Sequence, residues 1–324
     1  MTGESGKFEL AKEQESVKLS QLVRFMEICP IDLQFQGKSS MIASFLVRTG
    51  EGAFLIETGP ESTREHLVAS LAESGLEPGD LQGIFVTHIH LDHAGAAGWF
   101  AREGVPVYVH PKGAPHLVDP TRLVESARGV YGGKFDSLWG GMLPAPESRV
   151  IPLVDGESVS IAGVKVTALE TPGHAFHHHA FSVEGNLFAG DAAGARFSGD
   201  DYTSVTAAPP QFHLEHTLAS IGKLAAAGAE HLFLTHFAGV PDVQAHLEAY
   251  RNTVELNAEF VRQRFLEGFD AESLAVAYEA FQLEQAFRQG LPPASWEKYQ
   301  LINGTAMCAD GIRLFWQKRF AEES

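Results

Sequence analysis

The densest set of chemically useful side chains lies at residues 87–93, in the sequence THIHLDH. Four of these positions could bind a metal: His88, His90, Asp92 and His93. Imidazole and carboxylate ligands together suit Zn²⁺, Mn²⁺ or Fe²⁺, and the absence of thiolates argues against a purely structural zinc site. The segment therefore predicts a metal centre with a chemical role.

Three further candidate ligands, His174, Asp191 and His236, each follow an apolar run typical of a β-strand. Their preceding runs are VTALETPG, NLFAG and HLFLT. Side chains at neighbouring strand ends lie along one edge of a sheet, where α/β proteins commonly place their sites. We therefore expect four separate segments to converge on one spot.

The elements that must position these ligands alternate short β-branched runs with helical patterns, which predicts a layered α/β architecture. We assign residues 1–240 to this domain and residues 241–324, where helical periodicity takes over, to a helical C-terminal region. Residues 111–146 are predicted to form a partly helical insertion that folds over the rest of the domain.

The ordered motifs resemble those of the metallo-β-lactamase superfamily. They are HxHxDH at 88–93, the pairs Gly-His at 173–174 and Gly-Asp at 190–191, and a final His236. The resemblance covers about residues 20–240, and the spacings are similar to those of the hydrolase branch that includes glyoxalase II and the N-acyl-homoserine lactonases. It implies an α/β fold of the metallo-β-lactamase αββα sandwich type, here with a helical C-terminal extension.

The resemblance also implies a centre of two divalent metal ions, with Zn²⁺ expected ahead of Mn²⁺ or Fe²⁺. The first ion would be bound by His88, His90 and His174, the second by Asp92, His93 and His236, and Asp191 would bridge them. A hydroxide held between the metals would be the nucleophile, because a bound metal lowers the pKa of water from 15.7 to roughly 7. Asp92 and Asp191 are thus the candidate catalytic carboxylates, and Asp92 could carry a proton to the leaving group.

Several large side chains are candidates to line an apolar substrate cleft: Tyr131, Phe135, Trp139 and Met142 of the insertion, and Tyr202 on the loop after Asp191. The alternative is that they simply pack in the core. His178 lies about four residues after His174, where a side chain could contact and orient that ligand.

Charge and composition limit the classes of partner that the protein is expected to bind. The formal net charge of −17 disfavours nucleic acid, whose binders need clustered Lys and Arg, so we expect a small-molecule substrate. The sequence contains no run of eighteen apolar residues and shows no signal peptide at its start, and its only two cysteines, Cys29 and Cys308, form no disulfide pattern. These features predict a cytoplasmic protein without a membrane span. The apolar face of the C-terminal helices would dock on the main domain or on a second copy in a homodimer.

The motifs and composition together predict a hydrolase of an ester, thioester or lactone. A secreted antibiotic-hydrolysing enzyme, a nuclease and a glyoxalase II fit less well, the last because no convincing cationic cluster is present for the glutathione carboxylates. Two alternatives stay open: a persulfide dioxygenase-like enzyme with one iron, and a non-catalytic metal-binding or ligand-binding homologue.

Overall fold

The computed structural model describes residues 25–323, so the prediction about the first twenty residues lies outside the described range. The strands are β1 Met26–Asp32, β2 Ala43–Thr49, β3 Gly52–Ile56, β4 Leu81–Phe85, β5 Val107–Val109, β6 Val150–Pro152, β7 Ser158–Ile161, β8 Val164–Glu170, β9 His179–Val183, β10 Asn186–Phe188, β11 His231–Leu234 and β12 Ala238–Val240. The helices are α1 Arg64–Glu73, α2 Leu91–Ala94, α3 Ala97–Arg102, α4 Ala114–Val118, α5 Thr121–Tyr131, α6 Phe135–Trp139, α7 Leu214–Ala226, α8 Val243–Leu266, α9 Ala271–Arg288, α10 Pro293–Ile302 and α11 Thr305–Glu323.

The strands form two six-stranded sheets. The first has the order β1-β2-β3-β4-β5-β6 and the second the order β12-β11-β10-β9-β8-β7. Their facing surfaces share one apolar core, to which Phe45 and Phe54 contribute from the first sheet and Val166 and Phe181 from the second. Alternating side chains along each strand place these residues on the inner face.

Helices cover the outer face of each sheet. Leu67 of α1 and Phe100 of α3 are buried against the first sheet, in a cluster that also includes residues of β3 and β4. Ile221 of α7, Val254 of α8 and Ile312 of α11 are buried with residues of β10 and β11 on the second sheet. The four layers confirm the predicted αββα sandwich with its helical C-terminal region.

The first two C-terminal helices each begin at a capping aspartate. The side chain of Asp242 accepts a hydrogen bond from the backbone N of Ala245 and caps α8, and Asp270 caps α9 in the same way through Ser273. The insertion at 111–146 contains α4, α5 and α6. The division at residue 240 into two domains stays a prediction, because α8 and α11 share one apolar cluster with the second sheet. Among residues 25–323, every helix is too short or too polar to cross a membrane.

Candidate metal centre

Each candidate ligand segment follows a strand of the sandwich. Residues 87–93 come after β4, His174 after β8, Asp191 after β10 and His236 after β11. The ligand segments converge as predicted, but not along the edge of one sheet, because β4 lies in the first sheet and β8, β10 and β11 lie in the second. The seven candidate side chains form three overlapping groups of potential ligand atoms.

Two glycines allow the backbone to reach this site. Gly190 has a φ of 50°, and a Cβ there would lie 2.5 Å from Oγ1 of Thr87 and 2.8 Å from Nε2 of His178. Gly173 has a φ of 137°, and a Cβ there would lie 2.5 Å from the backbone N of Thr217. Any other residue would therefore clash as well as strain the backbone, which explains the Gly-His and Gly-Asp pairs in physical terms.

The first ligand group consists of three imidazoles. Nε2 of His174 lies 3.2 Å from Nε2 of His88 and 2.9 Å from Nδ1 of His90. Three ring nitrogens that converge in this way can share one cation, whereas a hydrogen-bond network would satisfy only some of them.

The second group brings two imidazoles to a carboxylate. Oδ2 of Asp92 lies 3.3 Å from Nε2 of His236 and 3.5 Å from Nε2 of His93. Asp191 stands between the two groups: its Oδ2 is 3.3 Å from Nε2 of His174, and its Oδ1 is 3.5 Å from Nε2 of both His93 and His236. One carboxylate therefore presents one oxygen to each group.

The opposite ring nitrogen of four of these histidines has a partner, and for His88 it is the hydroxyl of Thr87, 3.1 Å from Nδ1. Nδ1 of His174 donates to the backbone O of Thr206 at 3.1 Å, and Nδ1 of His236 donates to the backbone O of Met41 at 3.1 Å. Nδ1 of His93 lies 2.9 Å from Oε1 of Glu57. Such bonds fix the tautomer and turn Nε2 toward the centre.

Glu57 is a residue of the site that the sequence analysis missed. Its buried carboxylate accepts hydrogen bonds from the backbone N and the hydroxyl of Thr87 as well as bonding His93, and it lies 3.3 Å from the hydroxyl of Thr235. It follows β3, so the signal that identified the ligands, a polar side chain at a strand end, also marks Glu57 in the run AFLIET.

His178 lies behind the bridging position. Its Nε2 accepts a hydrogen bond from the backbone N of Asp191 at 3.2 Å, and its Nδ1 lies 2.8 Å from the hydroxyl of Thr171. The side chain thus supports the backbone of Asp191, rather than the ring of His174 as the sequence suggested. Its position next to the centre is compatible with the predicted supporting role, which stays a prediction.

The pKa values of the candidate ligands shift in opposite directions across the site. Burial, together with neighbouring imidazoles, holds the pKa values of His88 and His90 well below their usual range. Burial alone would also lower the pKa of His93, but nearby carboxylates, chiefly Asp92 and Asp191, raise it to about 10. Burial would raise the pKa of Asp92, yet the imidazoles of His93 and His236 bring it below its usual range. Without metal, the cluster therefore keeps His88 and His90 neutral but favours a proton on His93, beside the ionised carboxylate of Asp92.

The residues present fit divalent metal ions. Nε2 of His93 and Oδ1 of Asp191 are buried and have no hydrogen-bond partner among the described residues. Buried polar atoms normally have partners, and unpaired ones at a single point indicate a group that binds there. Five imidazoles and two carboxylates match the nitrogen and oxygen preferences of Zn²⁺, Mn²⁺ and Fe²⁺.

A cavity of about 220 Å³ opens beside the centre. Of the predicted substrate residues, Tyr131 and Trp139 line it. The structure does not bring the other three there. Phe135 packs under the guanidinium of Arg128, Met142 is buried in the core of the first sheet, and the buried hydroxyl of Tyr202 donates to Gln282.

Fold and site together define an αββα sandwich with a cluster of histidine and aspartate side chains, all potential metal ligands, at its strand ends. The chain belongs to the metallo-β-lactamase superfamily, whose family model matches residues 39–236, more than half of the sequence. The resemblance stated from the motifs is confirmed. The chain thus has the fold of this superfamily and a cluster of potential metal ligands at its strand ends.

Solved and curated proteins agree with this assignment. A metallo-beta-lactamase family protein, TTHA1429 from Thermus thermophilus, matches with a TM-score of 0.65 and 23% identity, over 91% of this chain and 94% of that one, which shows the fold. The metallo-beta-lactamase fold-containing protein ST1585 of Sulfurisphaera tokodaii is 30% identical over 37% of this chain and 47% of its own length. An atrochrysone carboxyl ACP thioesterase of Aspergillus fumigatus is 27% identical over 70% of this chain and 59% of its own length. The chain thus spans only about half to six-tenths of these two curated relatives.

Proposed function

We propose that the protein is a hydrolase of an ester, thioester or lactone bond in a small molecule and that it works with two divalent metal ions. The placement of Asp191 carries the proposal. Its two oxygens face separate ligand groups at 3.3 and 3.5 Å, as a bridging carboxylate requires. The thioesterase named among the relatives supports the choice of an acyl bond.

The residues would divide between two sites. One ion would be held by His88, His90 and His174, and the other by Asp92, His93 and His236. Asp191 would contact both ions. When bound, such ions supply a water-derived nucleophile at neutral pH and polarise the carbonyl of the substrate. The chain itself supplies orientation, because the imidazoles held by Glu57, Thr206 and Met41 cannot rotate away.

Asp92 is the proposed proton carrier. It is only partly buried, and it lines the cavity. A carboxylate at this wall can accept a proton as the nucleophile forms and pass it to the departing alcohol or thiol.

Elemental analysis of protein purified without chelators or added metal tests this proposal. We expect about two equivalents of Zn, Mn or Fe per chain, and a clear loss in Asp191→Ala. Asp201→Ala is the matched control, because Asp201 is an exposed aspartate that pairs with Arg196. The loaded protein is then assayed on esters, acyl thioesters and lactones. A single equivalent of iron would favour the dioxygenase alternative, and a loaded protein that turns over no member of the panel would contradict the hydrolase proposal.

A further inference from the structure

The cavity beside the metal centre has two chemically different ends. The metal centre forms one end. Apolar side chains from two regions outside the sandwich form the other: Leu123, Ala127 and Val130 of α5, Ile302 of α10 and Met307 of α11. A substrate whose carbonyl reaches the metals would therefore extend its acyl group between the insertion and the C-terminal helices.

The apolar end offers no charge to an acyl group. Among the described residues, no lysine or arginine lines the cavity, and its only carboxylates are Asp92 and Asp191 of the metal centre. Both would repel a second carboxylate. A buried carboxylate without a cationic partner is strongly disfavoured.

Several polar groups of the lining are already engaged. The amide N of Asn303 donates to Ser204 and to the backbone O of Val205. The hydroxyl of Thr206 donates to the backbone O of Asp191. Ser126 and Tyr131 remain, together with the amide nitrogen of Gln211, and all three groups are neutral.

The cavity sets the scale of the group but does not close over its far end. A volume of about 220 Å³ has room for a chain of several carbon atoms, and the α5 side is open, because the side chains of Ser126 and Val130 are exposed. We infer that the acyl group is uncharged and apolar and lies against α5 and α11. This inference rests on the proposed hydrolase function and specifies its substrate class.

A series of thioesters with one common thiol tests the inference on the metal-loaded protein. Each buried methylene is worth roughly fourfold in kcat/KM, so hexanoyl should exceed acetyl on the order of 100-fold and octanoyl should exceed it on the order of 1,000-fold. Dodecanoyl would extend past the exposed Val130 into solvent, so it should gain little over octanoyl. Adipoyl, which has the length of hexanoyl and a terminal carboxylate, should be at least about 100-fold poorer than hexanoyl.

Two substitutions on α5 sharpen the test. Ala127→Trp fills the apolar end, so kcat/KM for octanoyl should fall at least about tenfold while acetyl changes less than about threefold. Glu125→Trp is the matched control, since Glu125 lies on the same helix, is exposed and does not line the cavity. Ser126→Arg places a cation at the exposed rim and should improve adipoyl about tenfold relative to hexanoyl.

A binding measurement separates this inference from the proposed function. Octan-2-one has an uncharged chain and no bond to cleave, so calorimetric titration reports the apolar end without turnover. It should bind the metal-loaded protein on the order of 100-fold more tightly than butan-2-one, and Ala127→Trp should abolish the difference. Absence of turnover with every thioester would overturn the proposed function alone. Equal binding of the two ketones, or a preference for acetyl or adipoyl, would overturn the inference.

Discussion

Replacement of Glu57 should weaken metal binding while leaving the protein folded. Its carboxylate joins two ligand-bearing segments, because it bonds Thr87 beside His88 and the ring of His93. Glu57→Gln keeps the shape and removes the charge. The NH₂ group of the new glutamine cannot accept a hydrogen bond. At least one of the groups that now donate to Glu57 would therefore lose its acceptor.

Two magnitudes follow from that arrangement. Loss of an outer partner of a ligating histidine typically weakens metal binding by roughly 10- to 100-fold, or about 1.4 to 2.7 kcal/mol. One buried unpaired donor lowers the free energy of unfolding by roughly 1–3 kcal/mol. Since domains are typically stable by about 5–15 kcal/mol, the variant should remain folded.

The assay is Zn²⁺ titration of the metal-free protein in competition with a chromophoric chelator, alongside thermal unfolding of the metal-free form. Glu73→Gln is the control, because Glu73 is an exposed glutamate at the end of α1. A dissociation constant within about twofold of the parent would refute the reasoning. A drop in stability without any change in metal affinity would assign Glu57 a purely structural role.

His178→Ala removes the acceptor for the backbone N of Asp191, so we expect about tenfold weaker Zn²⁺ binding in the same titration and a stability loss of roughly 1–3 kcal/mol in denaturant unfolding. A stability loss with full metal affinity would contradict a role at the centre. Tyr131→Phe should lower kcat about tenfold with little change in KM, because the Tyr131 hydroxyl lines the cavity and can donate to charge that develops on the substrate. Burial, with a contribution from Asp92, raises the pKa of Tyr131 to about 12, so the hydroxyl stays protonated at neutral pH. The pH profile of kcat between 6 and 10 should therefore have the same shape in Tyr131→Phe as in the parent. An alkaline limb that disappears in the variant would contradict this.

The convergence of the candidate ligands was predictable because the signal is local. Each candidate follows an apolar strand, and these strand ends meet although β4 belongs to the first sheet and β8, β10 and β11 belong to the second. Glu57 obeys the same rule after β3, but as a single acidic residue outside the histidine motifs it gave no reason to be chosen.

Edge strand β1 contains Pro30, which is tolerated there because an edge strand leaves one side of its backbone unpaired.

The residues that line the cavity were less predictable, because the position of an apolar residue in the sequence does not show whether it lines a cavity or packs in the core. On the insertion, Tyr131 and Trp139 line the cavity, while Phe135, on the same helix as Trp139, is buried beneath Arg128. Tyr202 lies near Asp191 in sequence, yet its hydroxyl bonds Gln282, eighty residues away. Only the placement of α9 decides that outcome.

The C-terminal helices also belong to the architecture of the metal centre. The hydroxyl of Tyr250, on α8, lies 3.2 Å from the hydroxyl of Thr206. Thr206 in turn donates through that hydroxyl to the backbone O of Asp191 and accepts from Nδ1 of His174 through its backbone O. Asn303, which follows α10, holds the adjacent Val205. One loop therefore bonds both His174 and Asp191 and is itself fixed by these helices. The helical region thus supports the centre in addition to lining its cavity.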